Sequence, residues 1–166
     1  MNASGARANK PELVLIHGWG LGPAAWGAAR PALEARFNVI SLALPGYGDA
    51  APESVSFAET ATRLAASIPD GAYVCGWSLG AMLALEASGQ CPERIAGLIL
   101  VGATPCFVQR DGWPHAQPET LLDNFIAAVG DNPGTTLQRF VALLNQGDAR
   151  GRANTRAQQQ ALAASA

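Results

Sequence analysis

The residues best able to do chemistry in this chain are a serine and the glycines on either side of it. The segment Gly76-Trp-Ser-Leu-Gly80 places Ser78 at the end of a predicted strand and the start of a predicted helix. A tight turn of this kind holds a serine in a strained backbone conformation and lifts its hydroxyl clear of the sheet. The pattern predicts that Ser78 is a nucleophile and that the Leu79 amide points at a developing oxyanion. The simpler alternative is a small-residue turn that only packs strand on helix.

A second loop, His17-Gly-Trp-Gly20, follows the first strongly apolar strand. The loop at this position supplies the other oxyanion-hole amide in serine hydrolases of the same layout, so the N–H of Trp19 is predicted to be that donor. The Trp19 side chain is expected to form core or pocket wall. His17 is predicted to hold the loop by hydrogen bonding rather than to act as a base. His115, the only histidine after Ser78, is expected to be a surface or pocket residue.

Strands and helices alternate through the first hundred residues, which predicts an α/β fold with a parallel sheet and helices on both faces. Beyond Val101 four prolines break the pattern into a loop and helical segments. We therefore predict a core over 1–103 and a helical lid over 104–166. Within the core the sequence indicates strands at 13–16, 37–44, 73–77 and 95–101, and helices at 23–36, 56–68 and 79–88. Pro31 can kink the first of these helices, and Gly89 is expected to stop the third. The lid has predicted helices at about 119–129 and 135–146, and a tail over 148–166 that extends the helices or frays.

Composition limits the classes of protein that this chain can belong to. Of its 166 residues, 49% are hydrophobic and 14% charged, so it can bury a core and is not a disordered segment. A net charge of −2 argues against a nucleic-acid-coating protein, although residues 134–166 hold four arginines against one aspartate. No apolar run suits a membrane span or a secretory signal, which predicts a cytoplasmic protein. Three cysteines without paired spacing argue against a disulfide framework or a metal site, and no cofactor is predicted.

Further segments match one family: Leu44-Pro-Gly-Tyr-Gly48, Cys91-Pro-Glu-Arg94, Pro105-Cys-Phe107 with Trp113-Pro114, and Arg139-Phe-Val-Ala-Leu143. With the two loops above, they make the chain resemble the α/β-hydrolase superfamily over about residues 12–158. Within it, the chain is most similar to the carboxylesterases that demethylate a pimeloyl-carrier methyl ester in biotin synthesis. No Gly-x-Gly-x-x-Gly follows the first strand, which disfavours a dinucleotide-binding enzyme.

The resemblance implies roles for particular residues. Ser78 would be the nucleophile, and Trp19 and Leu79 would bound the oxyanion hole and contact the substrate. Lid residues would line the channel for the pimeloyl chain, and lid arginines would dock the acidic carrier protein; an ordinary solvated helix face is the alternative for the arginines. The channel residues are Phe140, Val141, Ala142, Leu143 and Leu144, and the docking arginines are Arg139, Arg152 and Arg156. Two positions depart from the family: Thr135 replaces a further arginine, and Ala43 replaces the usual aspartate.

The resemblance also implies that part of the fold is missing. A complete member has roughly 250 residues, with two more strands after the lid that carry the triad's aspartate and histidine. This chain is expected to stop inside the lid, to lack both residues and to be nearly inactive alone. The last strand, 95–101, would be an exposed apolar edge, so the isolated chain should be marginally stable or oligomeric. The sequence leaves the number of subunits open. A general short-chain esterase or lactonase, and a non-catalytic α/β-hydrolase-like fragment, remain alternatives.

Overall fold

The computed structural model describes residues 10–50 and 53–163, which form two compact units divided between Ala103 and Thr104. The first unit is built on four strands with helices between them. Its elements are β1 (Glu12–Ile16), a 3-10 turn (Pro23–Trp26), α1 (Arg30–Glu34), β2 (Asn38–Leu42), α2 (Phe57–Ser67), β3 (Ala72–Trp77), α3 (Leu79–Gln90), a second 3-10 turn (Pro92–Arg94) and β4 (Ile95–Val101). No helix in the described ranges is long and apolar enough to cross a bilayer.

The four strands form one parallel sheet in the order β2-β1-β3-β4. Alternate side chains of β1 point to opposite faces, as in any strand. Val14 and Ile16 are buried in a cluster with Leu83 of α3, and Leu13 and Leu15 are buried on the other face against the 3-10 turn and α1. The predicted α/β sheet with helices on both faces is therefore confirmed.

Two of the helix boundaries that differ from the sequence prediction have a clear physical cause. The helix expected over 23–36 is broken into a 3-10 turn and the short α1, because Pro31, which has no backbone N–H, sits in the first turn of α1 and begins a helix instead of continuing one. Gly89 does not stop α3, which runs on to Gln90. Pro92 explains the true end, since the residue before a proline is driven out of the helical region and Cys91 has φ −143°.

The second unit consists of a loop and three helices: α4 (Glu119–Asp131), α5 (Pro133–Leu144) and α6 (Gly151–Ala163). The Asn132 side chain accepts the Thr135 N–H at 3.0 Å and so caps the start of α5. Phe125 of α4 packs against Phe140 of α5, with ring centroids 6.0 Å apart. Asn145 joins α5 to α6 by donating to Gln158 at 2.7 Å. Within residues 104–163 extended pairing is limited to two isolated bridges in the loop before α4.

The outer edge of β4 is apolar and exposed. In the described part of the chain β4 pairs with β3 alone, and Ile99 and Val101 are each 46% exposed. An unpaired strand edge with apolar side chains is a template for pairing with another chain. We predict that the purified chain self-associates and that Ile99→Lys moves it towards monomer in size-exclusion chromatography. Leu85→Lys, on the exposed surface of α3, is the control and should leave the elution volume unchanged. A wild-type monomer with a sharp thermal transition would contradict this prediction.

Candidate active site

Ser78 occupies a strained backbone position between β3 and α3. Its φ of 53° and ψ of −119° make it the one non-glycine residue with positive φ in the described ranges. Hydrogen bonds hold that conformation in place: the Ser78 N–H donates to the Val101 carbonyl at 2.8 Å, and the Ser78 carbonyl accepts from Ala81 at 2.9 Å and Met82 at 3.1 Å. Positive φ costs an L residue about 1–3 kcal/mol, so it persists only where the surroundings over-determine it.

The two glycines that flank this turn allow backbones to meet. A Cβ built on Gly80 would clash with the carbonyl oxygens of Ile16 and His17, and one on Gly76 would clash with the Gly80 carbonyl. Main chain from the end of β1, the end of β3 and the start of α3 is therefore packed together without intervening side chains. A larger residue at either position would force these elements apart and move Ser78.

The loop after β1 lies directly against the serine turn. A Cβ on Gly18 would lie 3.1 Å from the Trp77 carbonyl oxygen and 3.2 Å from the Ser78 Cβ. Trp19, the next residue, is partly buried, as is Leu79 at the start of α3. Trp19 in the loop after β1 and Leu79 at the start of α3 line one cavity, so the structure brings the two predicted oxyanion-hole residues near each other beside the serine turn. Their roles remain predictions.

His17 is buried and fixed by two hydrogen bonds. Its Nε2 accepts the Leu44 N–H at 3.1 Å, and its Nδ1 lies 2.7 Å from the Gly18 carbonyl oxygen. Because Nε2 is an acceptor, the proton of the neutral ring is on Nδ1 and is donated to Gly18. Burial lowers the pKa of His17, and the bond to Gly18 opposes that shift only in part. Both nitrogens are occupied, so this ring cannot also take a proton from Ser78.

His17 should make stability depend on pH. In the unfolded chain it protonates near the ordinary value of 6.5, whereas its folded pKa is lower. The unfolded state therefore binds more protons below pH 6.5, and stability is lost as pH falls. The free energy of unfolding should drop by up to about 1.4 kcal/mol per pH unit in that range, measured by urea unfolding between pH 7.5 and 5.5.

Histidine variants separate this effect from other titrations. His115→Gln should keep the pH dependence, whereas His17→Gln should lose it. Where His17→Gln does not fold, the ring proton shifts of His17 in the wild-type NMR spectrum give the answer, since their titration midpoint should lie below the ordinary pKa of 6.5. A shift that titrates near 6.5 would contradict the assignment.

Tyr47 is a residue of this site that the sequence analysis missed. Its hydroxyl accepts the Gly20 N–H at 2.7 Å, and its ring contacts His17 edge-on with centroids 4.7 Å apart. Burial raises the pKa of Tyr47, so the hydroxyl keeps its proton at neutral pH. Together with the bond from Leu44 to His17, this contact ties the 17–20 loop to the turn after β2. The only signal in the sequence was an aromatic residue between two turn glycines, Gly46 and Gly48.

The predicted channel residues all lie on α5 but differ in burial. Val141 is fully buried, Phe140 is partly buried against Phe125, and Leu143 and Leu144 are 65% and 40% exposed. Ala142 is exposed and lines a cavity of about 530 Å³ between α5 and α6. Which of the five face a substrate stays a prediction.

The three predicted docking arginines are all exposed, Arg139 on α5 and the other two on α6. Arg152 and Arg156 line the same cavity as Ala142, one helical turn apart. His115 is exposed in the loop before α4, edge-on to Trp113 at 6.2 Å. Among the described residues, no group of three or more His, Cys, Asp and Glu side chains is arranged to hold a metal ion.

A strained serine between strand and helix, beside a glycine-rich loop at the end of a parallel sheet, is typical of α/β hydrolases. The family model described as "Alpha/beta hydrolase family" matches residues 13–166. The chain belongs to the alpha/beta hydrolase family, as its resemblance predicted.

Among curated proteins, it is 42% identical over 160 residues to the "Pimeloyl-[acyl-carrier protein] methyl ester esterase" of Aromatoleum aromaticum, covering 93% of this chain and 64% of that protein. An esterase of the same name from Edwardsiella ictaluri is 38% identical over 151 residues, covering 90% and 58%. The chain therefore spans less than two thirds of the length of these relatives.

Solved structures show the same fold at low identity. A hydrolase from Oleispira antarctica matches with a TM-score of 0.77 at 19% identity, covering 96% of this chain and 62% of that one. A bromoperoxidase from Bacillus anthracis matches with a TM-score of 0.72 at 20% identity, covering 95% and 62%. These likenesses establish the α/β-hydrolase fold and carry no information about the reaction.

Proposed function

We propose that this chain carries the nucleophile and oxyanion hole of a serine carboxylesterase that removes the methyl group from a pimeloyl-carrier methyl ester in biotin synthesis. The observation that carries the proposal is the positive φ of Ser78 at a strand–helix turn, with the 17–20 loop so close that a Cβ on Gly18 would lie 3.2 Å from the Ser78 Cβ. The substrate class is supported by the names of relatives that are 38–42% identical. The cytoplasm is the proposed location.

In the proposed reaction the Ser78 hydroxyl attacks the methyl ester carbonyl. The amides of Trp19 and Leu79 stabilise the resulting oxyanion, methanol leaves, and water then releases the free carboxylate from the acyl-serine. The attack needs a histidine base oriented by an acidic residue. His17 does not fit that role, because its nitrogens are bonded to Gly18 and Leu44.

The second unit is proposed to act as the helical lid. Residues 140–144 would line the acyl channel, and Arg139, Arg152 and Arg156 would bind the acidic carrier protein. In support, all three arginines are exposed, and none forms an ion pair within residues 10–50 and 53–163. Exposed guanidinium groups are available to carboxylates of a partner and speed association with it.

A chimera tests this function while supplying a histidine base. Residues 1–166 are joined to the C-terminal third of the Aromatoleum aromaticum esterase, and loss of a methyl group from the carrier-bound ester is followed by mass spectrometry. We expect demethylation that Ser78→Ala abolishes. The double substitution Arg152→Glu and Arg156→Glu should slow hydrolysis of the carrier-bound ester but not of free dimethyl pimelate. Arg110 is another exposed arginine of the same unit, and Arg110→Glu should change neither rate.

Two outcomes would overturn the proposal in different ways. Hydrolysis of small esters without preference for the carrier-bound ester would favour a general short-chain esterase or lactonase. A folded chimera that is inactive towards every ester would favour a non-catalytic α/β-hydrolase-like protein.

A further inference from the structure

The loop after β1 is rich in glycine. Gly18, Gly20 and Gly22 alternate through it, and the last two have positive φ values of 90° and 64°. Glycine has access to more backbone conformations than any other residue, so local sterics do not fix the directions of the peptide groups in this loop. The Trp19 N–H, a proposed oxyanion donor, belongs to one of these groups. Contacts from outside the loop backbone must therefore set its direction.

Trp19 lies between two peptide units that are each held by a side chain. The Gly18 carbonyl shares a planar trans unit with the Trp19 N–H, and it accepts a hydrogen bond from His17 at 2.7 Å. The next unit carries the Gly20 N–H, which donates to the Tyr47 hydroxyl at 2.7 Å. Because both planes are fixed, the backbone at Trp19 cannot rotate freely between them. Removing either bond releases one of the two planes.

The turn that carries Tyr47 is itself rigid. The Tyr47 N–H donates to the Leu44 carbonyl at 3.1 Å, and Gly46 has a φ of 82°. This is the type II turn that proline at its second position and glycine at its third favour, and Pro45 and Gly46 occupy those positions. Leu44 is buried, and its N–H donates to His17. The Tyr47 hydroxyl is thus presented to the loop from a fixed element of the fold.

The Gly20 N–H depends on that hydroxyl, because Gly20 is buried. A buried N–H that loses its acceptor is left unsatisfied, which is unfavourable enough that the backbone rearranges to reach another acceptor or water. Such a rearrangement rotates the peptide unit next to Trp19. A phenylalanine at position 47 would keep the ring and its edge-on contact with His17, and would remove only the acceptor.

We propose that Tyr47 is a positioning residue of the oxyanion hole, whose hydroxyl holds the Trp19 N–H in its productive direction through Gly20. The inference rests on the proposed function, which makes that N–H an oxyanion donor. It adds a second side chain to the one that the sequence predicted for holding this loop. His17 acts on the peptide unit before Trp19, and Tyr47 acts on the unit after it.

NMR spectroscopy of the 166-residue chain tests the positioning without requiring activity. In Tyr47→Phe the Gly20 amide should exchange about tenfold faster relative to Val14 of β1, the change expected for losing one hydrogen bond. The residual dipolar coupling of the Trp19 N–H reports the direction of that bond, and it should shift while that of Val14 does not. Tyr73→Phe, at a position on β3 that is 38% exposed, is the matched control and should change neither.

Kinetics of the chimera test the consequence for catalysis. Tyr47→Phe should lower kcat for dimethyl pimelate about tenfold and leave KM within about twofold, because an oxyanion donor acts in the transition state more than in the ground state. Losing such a donor outright costs about 10²–10³ in kcat, so a misdirected donor should cost less. A role confined to stability would leave kcat unchanged at temperatures where the variant is folded. Tyr73→Phe should keep both constants.

The results separate this inference from the function on which it rests. An unchanged Trp19 coupling in Tyr47→Phe, or a raised KM with unchanged kcat, would overturn the inference. A chimera that is inactive towards every ester, with a shifted Trp19 coupling in the 166-residue chain, would overturn the proposed function and keep Tyr47 as the residue that orients this N–H. An active chimera in which the coupling shifts and kcat does not would leave the esterase function intact and overturn the inference.

Discussion

Replacing Gly80 by alanine should lower the free energy of unfolding by about 3 kcal/mol, at the upper end of what overpacking a core costs. The new Cβ would meet the carbonyl oxygens of Ile16 and His17, which belong to the backbone of β1 and its loop. Backbone in a paired strand cannot rotate away as a flexible side chain can. The variant must therefore separate α3 from β1, which also releases Ser78 from its strained conformation.

A matched glycine lies on the same helix. Nothing approaches within 4 Å of a Cβ placed on Gly89, and this residue is in the last turn of α3. Gly89→Ala should therefore stabilise the protein by about 0.5–1 kcal/mol through helix propensity and reduced freedom of the unfolded chain. Urea unfolding of both variants measures the contrast. Equal midpoints for Gly80→Ala and wild type would show that β1 and α3 are not packed backbone to backbone.

Local sequence features predicted the elements that position Ser78. The run Ile95–Val101 is uninterrupted and apolar, and β4 has those bounds. Ser56, the first residue of the helix predicted over 56–68, caps α2 by accepting the Glu59 N–H at 3.1 Å. The strained turn at Ser78 follows from glycines two residues away on both sides. In each case the deciding interactions lie within a few residues, so the pattern contains them.

Contacts between distant segments could not be predicted in the same way. The bond from Gly20 to Tyr47 and that from Leu44 to His17 each join residues 27 positions apart. They depend on β1 and β2 ending side by side, which no local pattern states. Similarly, consecutive residues of α5 point in different directions, so the run 140–144 includes both the buried Val141 and the exposed Leu143. A motif identifies such a segment, but only packing decides which face it presents.

The largest expected effect concerns catalysis. The purified 166-residue chain should hydrolyse p-nitrophenyl acetate no faster than about 10³–10⁴ times the rate in water. That is the activity that remains from the oxyanion hole and substrate binding when a triad member is lost. The serine hydroxyl is a weak nucleophile without a base. The chain has two histidines: His17 is buried with both nitrogens bonded, and His115 lies on the exposed loop before α4.

Ser78→Ala tests the reason for the low rate. In the 166-residue chain this substitution should change hydrolysis by only a small factor, because an unactivated serine contributes little, and a fluorophosphonate probe should label neither protein. In the chimera that supplies a base, the same substitution should abolish both hydrolysis and labelling. A chain of 166 residues that turns over esters as fast as complete esterases, and loses that activity with Ser78→Ala, would show that a base within these residues reaches Ser78. That base would then be His115, or His17 once its bonds to Gly18 and Leu44 have broken.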